Sequence, residues 1–483
     1  RTDMTVSIII ISLLATFVAV LLYNMFKLSV SARKLSPEKK IYSDEEEMAF
    51  AKRCAEMIRC KTVSSKNEYD DTEFALLRGV VEKMFPNVCK MAEKHIFSND
   101  CYIYKINGKD SSRNIMIMSH HDVVAASGEW QHEPFGGEIH EGKLWGRGTV
   151  DTKTPLYAEF EAMEALLKDG FVPECNVYIG SSHNEEIAGD GIPTALAYFK
   201  ENNINFEMIL DEGGAILDAP VGGMKCKCAM IAVHEKGRHS LVCTAKCDKG
   251  HAGLAPKTDT PVVRMSRFIT EISRKNIFIK RIYPEVKAMF EAMSPYMTFP
   301  LRIVFSNLWC FSPLLTFLMP RLNPQAGAMV GTMCTFNEIH GGKRGLFQSD
   351  DCTATAFLRC VNDKDLHSDI ETFKGIADKY NIIVSNGEGC EYHHPADMSL
   401  PPFAFIRQCV GDVFPHIASA PFVLPAGTDA RHLTEICPCV IRFAPIDLDK
   451  QQFASVHSEN ENIDVHTIAN AVEFYKTVVR NYK

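Results

Sequence analysis

The amino-acid sequence predicts an α/β protein: a mainly parallel sheet with helices on both faces, interrupted by a smaller α+β unit and preceded by one apolar helix. Three observations predict it. Short apolar runs at Asn114 to Ser119, Asn176 to Ser182, Met208 to Asp211 and Cys439 to Pro445 alternate with helical stretches, which is how strands buried on both faces read. From about Glu235 to Ser385 this alternation is replaced by an order of βα, ββ, αβ. Near the start, Met4 to Phe26 forms 23 residues without a charge.

That first stretch is long enough to cross a hydrocarbon core of about 30 Å at roughly 1.5 Å per residue. A cleaved signal peptide is the competing reading. Its apolar core is usually shorter and a small-x-small site follows it, whereas here Asn24 and Lys27 and then Arg33, Lys34, Lys39 and Lys40 follow. An uncleaved, single-pass membrane anchor over 4–26 is the expectation, with a linker over 27–44. The basic cluster on its C-terminal side places the body in the cytosol by the positive-inside rule, and the lack of an N-x-S/T sequon agrees.

The main unit is expected over 45–233 and again over 388–483, with the interrupting unit over 234–387. In the helix Pro155 to Lys168, Leu156, Phe160, Met163 and Leu167 recur at intervals of three and four, and Thr154-Pro155 reads as an N-cap and N1 pair. In the interrupting unit, a strand from Glu235, a helix over Pro261 to Ile272, strands around Met329 to Ile339 and Cys352 to Arg359, a helix over Asp363 to Tyr380 and a strand over Asn381 to Ser385 make a small sheet with helices on one face. Phe305 to Met319 is too short, and too interrupted by Asn307 and Pro313, to be a second span. Core packing and a lipid-facing or acyl-chain-binding surface both fit it.

The 483 residues, 46% hydrophobic and 23% charged, exclude disorder, collagen and coiled coil. With 60 acidic residues against 52 basic ones, a net charge of −8 and no long Lys/Arg stripe, nucleic acid is not a partner to expect. The 17 cysteines include no CxxC, so a zinc ribbon or thioredoxin-type site is excluded.

Ligands in open α/β sheets gather at the carboxyl ends of strands. Four polar clusters follow apolar runs in that way: Ser119-His120-His121-Asp122, the loop Gly146 to Asp151 that leads into the helix, His183-Asn184-Glu185-Glu186, and Asp211-Glu212-Gly213-Gly214. His120 and Asp122 are two apart in an extended chain, so the carboxylate can orient the imidazole. Adjacent glutamates and two aspartates on one edge repel unless cations hold them. Imidazole with carboxylates suits zinc, and one carboxylate can bridge two ions about 3.5–4 Å apart. Singly, each of these residues is more often a cap, a surface charge or a core histidine.

With SHHDVV, EWQHEPFGGEIHEGKLWGRGTVDTK, SSHNEEIAGDGI, LDEGG, EKG, GHAGLAP, PAGTDAR and VHSENE in this order, the chain resembles the M20 metallopeptidases, in particular the branch of carboxypeptidase S and the N-acyl amino acid hydrolases/synthases. The resemblance spans nearly everything from Glu45 onward. It implies a zinc-peptidase domain with an inserted lid that is also a dimerisation domain, and two Zn2+ per subunit. Asp151 would bridge, with His120 and Asp211 completing one site and Glu186 and His457 the other. Glu185 would be the general base and Asp122 the residue that polarises the ligand beside it. The peptide after Asp151 would be cis. His251, in GHAGLAP, would stabilise the oxyanion in the partner subunit of a homodimer. His121 and His183 match no ligand and are left as supporting or surface residues.

Arg359, Thr428 and Arg431 match the family's substrate-binding positions, and an arginine can hold a carboxylate bidentately. Gly345 stands where the family usually has a substrate-binding asparagine, which puts specificity in question. The substrate implied is a short peptide or an N-acyl amino acid, cut by metal-activated water; an N-fatty-acyl amino acid synthase/hydrolase is the alternative. A membrane-anchored binding protein that kept the fold and lost catalysis is the alternative of another class. Family resemblance points to a lumenal, vacuolar or secreted body, against the positive-inside reading.

Overall fold

In the computed structural model, residues 2–67, 69–247, 259–275, 277–322, 324–342 and 350–483 are described. The main sheet has ten strands and is mixed, with a parallel centre. Cys175–Ser181, Asp110–Met118, Met208–Asp211 and Val440–Arg442 lie side by side and run the same way, so that Ile117 faces Ile179 on one flank and Leu210 on the other. Antiparallel neighbours flank this centre, Cys101–Ile106 on one edge and Cys228–Glu235 on the other.

Alternation along the central strands explains why each run is apolar throughout. Ile115, Ile117, Val177, Ile179 and Leu210 enter one core with the helices Asp44–Ile58, Lys153–Lys168 and Val465–Asn481. Met116, Met118, Tyr178 and Ile209 point the other way, against the helix Gly191–Glu201. Phe160, 1% exposed, stacks on Phe85 with ring centroids 5.3 Å apart. Truncating such a ring to alanine typically costs about 3–5 kcal/mol.

The helix expected from Pro155 starts earlier, at Lys153, and its N-cap is Thr152 without a side-chain cap bond. The reason is Lys153. Its buried ammonium donates to the carbonyls of Met57, at 3.2 Å, and Cys60, at 2.6 Å, where the Asp44–Ile58 helix ends. Cations are favoured at helix C-termini, and this tether draws the first turn in.

The second sheet has four antiparallel strands in the order Met333–Gly341, Asp351–Cys360, Gly237–Lys246, Ile382–Asn386. Met265, Phe268 and Ile272 of the helix Pro261–Arg274, and Phe373 and Ile376 of the helix Asp363–Asp378, pack on Leu241, Cys243, Ala354, Ala356 and Leu358. The strand expected from Met329 begins at Met333, because Pro324–Met329 is helical.

At the N-terminus, Met4–Ser31 is one helix, long and apolar enough to cross a bilayer, a test that a signal sequence near an N-terminus also passes. Phe305 to Met319 divides between two helices, Phe299–Ser306 and Leu308–Leu322, bent by 107° at Asn307.

Candidate active site

The four clusters meet at the carboxyl edge of the parallel strands. The His120 loop follows Asp110–Met118, the Glu185-Glu186 loop follows Cys175–Ser181, and Asp211 ends Met208–Asp211, all neighbours in the sheet. Asp151 is brought to the same edge by the loop before its helix, and the Asp151-Thr152 peptide is cis.

Asp151 is the hub. Its Oδ1 lies 3.0 Å from His120 Nε2, and its Oδ2 lies 3.0 Å from His457 Nε2, so each oxygen faces a different imidazole. His457 Nε2 is also 3.0 Å from Glu186 Oε2. On the far side of His120, Nδ1 is 2.9 Å from the Asp122 carbonyl and 3.3 Å from its carboxylate. Asp122, fully buried, accepts the N–H groups of Glu185 and Glu186, each at 3.1 Å, and so fixes the two glutamates relative to His120. Asp211 stands apart from these contacts, its Oδ2 accepting the Ala430 N–H at 2.9 Å.

The electrostatics follow from crowding acids into a dry edge. Against the push of burial, hydrogen bonds from His120 and His457 hold Asp151 far below the usual carboxylate range. Bonds to Asp151 and Glu186 raise His457 to about 10, and against burial Asp122 and Asp151 raise His120. Glu185 is pushed well up by burial, with His120 opposing and Asp429, Asp122 and Glu186 adding. Burial and Asp429 raise Asp211 to about 7. Two imidazoles facing paired carboxylates, one of them, His120, held on its far nitrogen by Asp122, form a donor set that suits divalent zinc, and a cation would relieve the mutual repulsion of these acids. His120, Asp151 and Glu186 place one donor atom each within 4.8 Å of one another.

The remaining expected residues are placed as follows. Arg431 lies 3.9 Å from Glu185 and 3.4 Å from Glu391, and donates to the Thr428 carbonyl at 2.6 Å. Arg359, on the second sheet, is held down by burial and by the nearby charges of Arg238 and Arg431. Arg431, in the short helix Asp429–Glu435, is thus near enough for its charge to act on Arg359 of the second sheet. Thr428 is buried and gives its N–H and hydroxyl to Glu235, at 2.9 and 2.8 Å. His251 and Gly345 lie outside the described residues. His121 and His183 are buried rather than exposed, at 3% and 2%, both against Phe74.

Three acids in or beside the site have no role assigned to them by sequence reasoning. Glu461, the last residue of VHSENE, is buried and accepts the N–H groups of Gly148, Val150 and Asp151 at 2.7 to 3.1 Å, and pairs with Arg147 at 2.6 Å. Glu235 pairs with Arg442 at 2.5 Å. Glu212 is driven well up by burial, Asp151 and Asp211. All three lie inside motifs visible in the sequence, yet nothing in their spacing shows which acid faces metal and which faces backbone.

A model of peptidase family M20/M25/M40 matches residues 116–481. The chain is similar to a Xenopus tropicalis N-fatty-acyl-amino acid synthase/hydrolase PM20D1, 28% identical and covering 97% of this chain and 93% of that protein. It is 26% identical to a probable carboxypeptidase S-like 2 of Dictyostelium discoideum, over 99% of this chain and 94% of that one. Among solved structures, the M20 family metallo-carboxypeptidase Sso-CP2 of Sulfolobus solfataricus superposes with a TM-score of 0.61 at 17% identity, over 91% of this chain and 99% of that one.

Proposed function

The chain belongs to peptidase family M20/M25/M40, and from that premise we propose that it is a di-zinc amidohydrolase releasing an amino acid with a free carboxylate from a short peptide or an N-acyl amino acid. One observation carries this reading: the two oxygens of Asp151 each face a different imidazole, with Glu186 beside one of them. His120, Asp151 and Asp211 would hold one ion, and Glu186, Asp151 and His457 the other. Bound zinc supplies a Lewis acid for the carbonyl and lowers the pKa of a water towards neutrality.

The chain's own residues supply the rest. Glu185, raised by burial and neighbouring acids, is a stronger base than an ordinary carboxylate, suited to accept a proton from water and return it to the leaving nitrogen. Asp122 holds Glu185 and His120 in register. Arg431 and Arg359 grip the carboxylate of the departing amino acid, a planar anion suited to guanidinium forks. His251 would stabilise the oxyanion across a homodimer formed through the second sheet. The Met4–Phe26 helix would anchor the enzyme to a membrane.

The relatives favour a second reading of the acyl side. Several are named N-fatty-acyl-amino acid synthase/hydrolase, at 27–28% identity over most of this chain, so a long acyl group is the alternative to an aminoacyl one. The test is a substrate screen on the zinc-loaded full chain with dipeptides, acetyl amino acids and long-chain acyl amino acids. The proposal expects turnover of at least one class that carries a free carboxylate. Cleavage only of carboxylate-blocked amides contradicts it.

A further inference from the structure

We propose that Phe299–Leu322 is a second membrane element, lying in the bilayer leaflet nearest the body beside the N-terminal helix, with lipid hydrocarbon as the occupant of its outward face. This rests on the reading of Met4–Phe26 as a retained anchor and adds to it a surface of the enzyme body. The helix Leu308–Leu322 is apolar on its inner and its outer side alike. It turns Leu308 and Met319 into the core, while Leu314, Phe317, Leu318 and Leu322 form one stripe at helical spacing on its outer side, and Trp309 is exposed beside the N-terminal helix. Their exposure is high: 61% for Trp309, 56% for Phe317 and 72% for Leu322. Single exposed apolar side chains are ordinary in soluble proteins, but a contiguous stripe of this kind marks an interaction surface.

What covers the stripe follows from its neighbour. The N-terminal helix packs on this bent pair through its C-terminal half. Asn24 donates to Asn307 at 2.8 Å, and Asn307 donates to the Leu21 carbonyl at 3.0 Å. Arg302 donates to Ser29 at 2.6 Å, and the Phe17 and Trp309 rings meet edge-on at 5.9 Å. Hydrogen bonds between helices of this type hold membrane helices together where apolar packing has no water to escape. Met4–Ser31 is otherwise bare, with only 6% of its most apolar window buried. A bilayer that covers that helix reaches the adjoining stripe without a break.

The polar edge agrees. Lys27 and Lys34 are exposed where the N-terminal helix leaves the apolar layer, and Arg321 folds over Phe317, its guanidinium 3.8 Å from the ring centre. This is how long cations reach headgroups from within an interface. At 15 and 8 residues, and bent by 107°, the two helices are too short to cross a core of about 30 Å. The element therefore lies in the interface and does not span it.

The test reconstitutes the full chain in phosphatidylcholine vesicles with p-benzoylphenylalanine placed singly at Ile10, Phe317, Leu322, Ile383 or Phe453, exposed positions where the photoreactive ring meets no packing demand. After irradiation, lipid adducts at Phe317 and Leu322 are expected at yields comparable to Ile10 and about tenfold above Ile383 and Phe453. Lipid adducts at Ile10 with none at Phe317 or Leu322 overturn the proposal and leave the anchor standing. Adducts between two chains at Phe317 or Leu322 overturn it in favour of a second copy as occupant. No lipid adducts at any position, with an intact mass showing loss of the N-terminal segment, removes the anchor and the proposal together.

Discussion

Replacing Glu461 with alanine exposes how the site depends on a residue that touches no substrate. The carboxylate is fully buried, accepts three consecutive-loop N–H groups from Gly148, Val150 and Asp151, and neutralises Arg147, itself 2% exposed. Breaking a buried ion pair by removing one partner costs about 3–5 kcal/mol, because the other charge is left uncompensated. The orphaned N–H groups add a penalty that overlaps with this one. We expect Glu461→Ala to lose about 3–5 kcal/mol in urea denaturation and Glu461→Gln, which keeps the shape and one acceptor oxygen, about 1–3 kcal/mol. Because the same carboxylate positions the Asp151 backbone, zinc affinity measured by chelator competition should fall about 10- to 100-fold in the glutamine variant. A Glu461→Ala protein within about 1 kcal/mol of the parent, with unchanged zinc affinity, refutes the reasoning.

Burial lowers Lys236 to about 8, while its ammonium donates to the carbonyls of Ala328 and Gly331. The unfolded lysine titrates near 10.4, so between about pH 8 and 10 the unfolded chain holds a proton that the folded chain has released, and stability rises with pH. Relative to Lys236→Met, the parent should gain up to about 3 kcal/mol across that window; parallel stability curves refute this. Arg431→Ala should raise KM for substrates with a free carboxylate about ten- to a hundredfold, the loss of one charge-assisted contact, and leave carboxyl-amidated analogues unaffected. Equal effects on both would mean that Arg431 acts only through Glu185 or Glu391. Mixing His251→Ala with Glu185→Gln chains, each inactive alone, should recover part of the activity if the histidine serves a partner subunit; no recovery, with subunit exchange verified, removes the dimeric arrangement.

Much of this architecture is legible in the chain because burial on both faces leaves a continuous apolar run, and Asn114 to Ser119 and Met208 to Asp211 carry it openly. The polar residues that end those runs are legible for the same reason, since a His or Asp placed at a strand end is poor packing and needs a use. The start of the helix at Lys153 is not legible. A lysine reads as solvent-exposed until the partner carbonyls of Met57 and Cys60 are known, and these lie about ninety residues away in the chain. Glu461 and Glu235 fail on the same ground, because a buried acid paired across the fold has no local signature. The outward stripe of Leu308–Leu322 left two alternatives open, since apolar residues at helical spacing show a face and not what covers it.

The most direct test of the account measures zinc content and turnover together in the parent, Glu185→Gln and Glu186→Gln. The two glutamates are adjacent and both accept the geometry set by Asp122, so a general loss of structure would affect them alike. The account predicts that Glu185→Gln keeps the parent's zinc and loses about 10²- to 10⁴-fold in turnover, whereas Glu186→Gln loses zinc. A Glu185→Gln protein that retains full turnover, or a Glu186→Gln protein that keeps all its zinc while Glu185→Gln sheds it, contradicts the assignment.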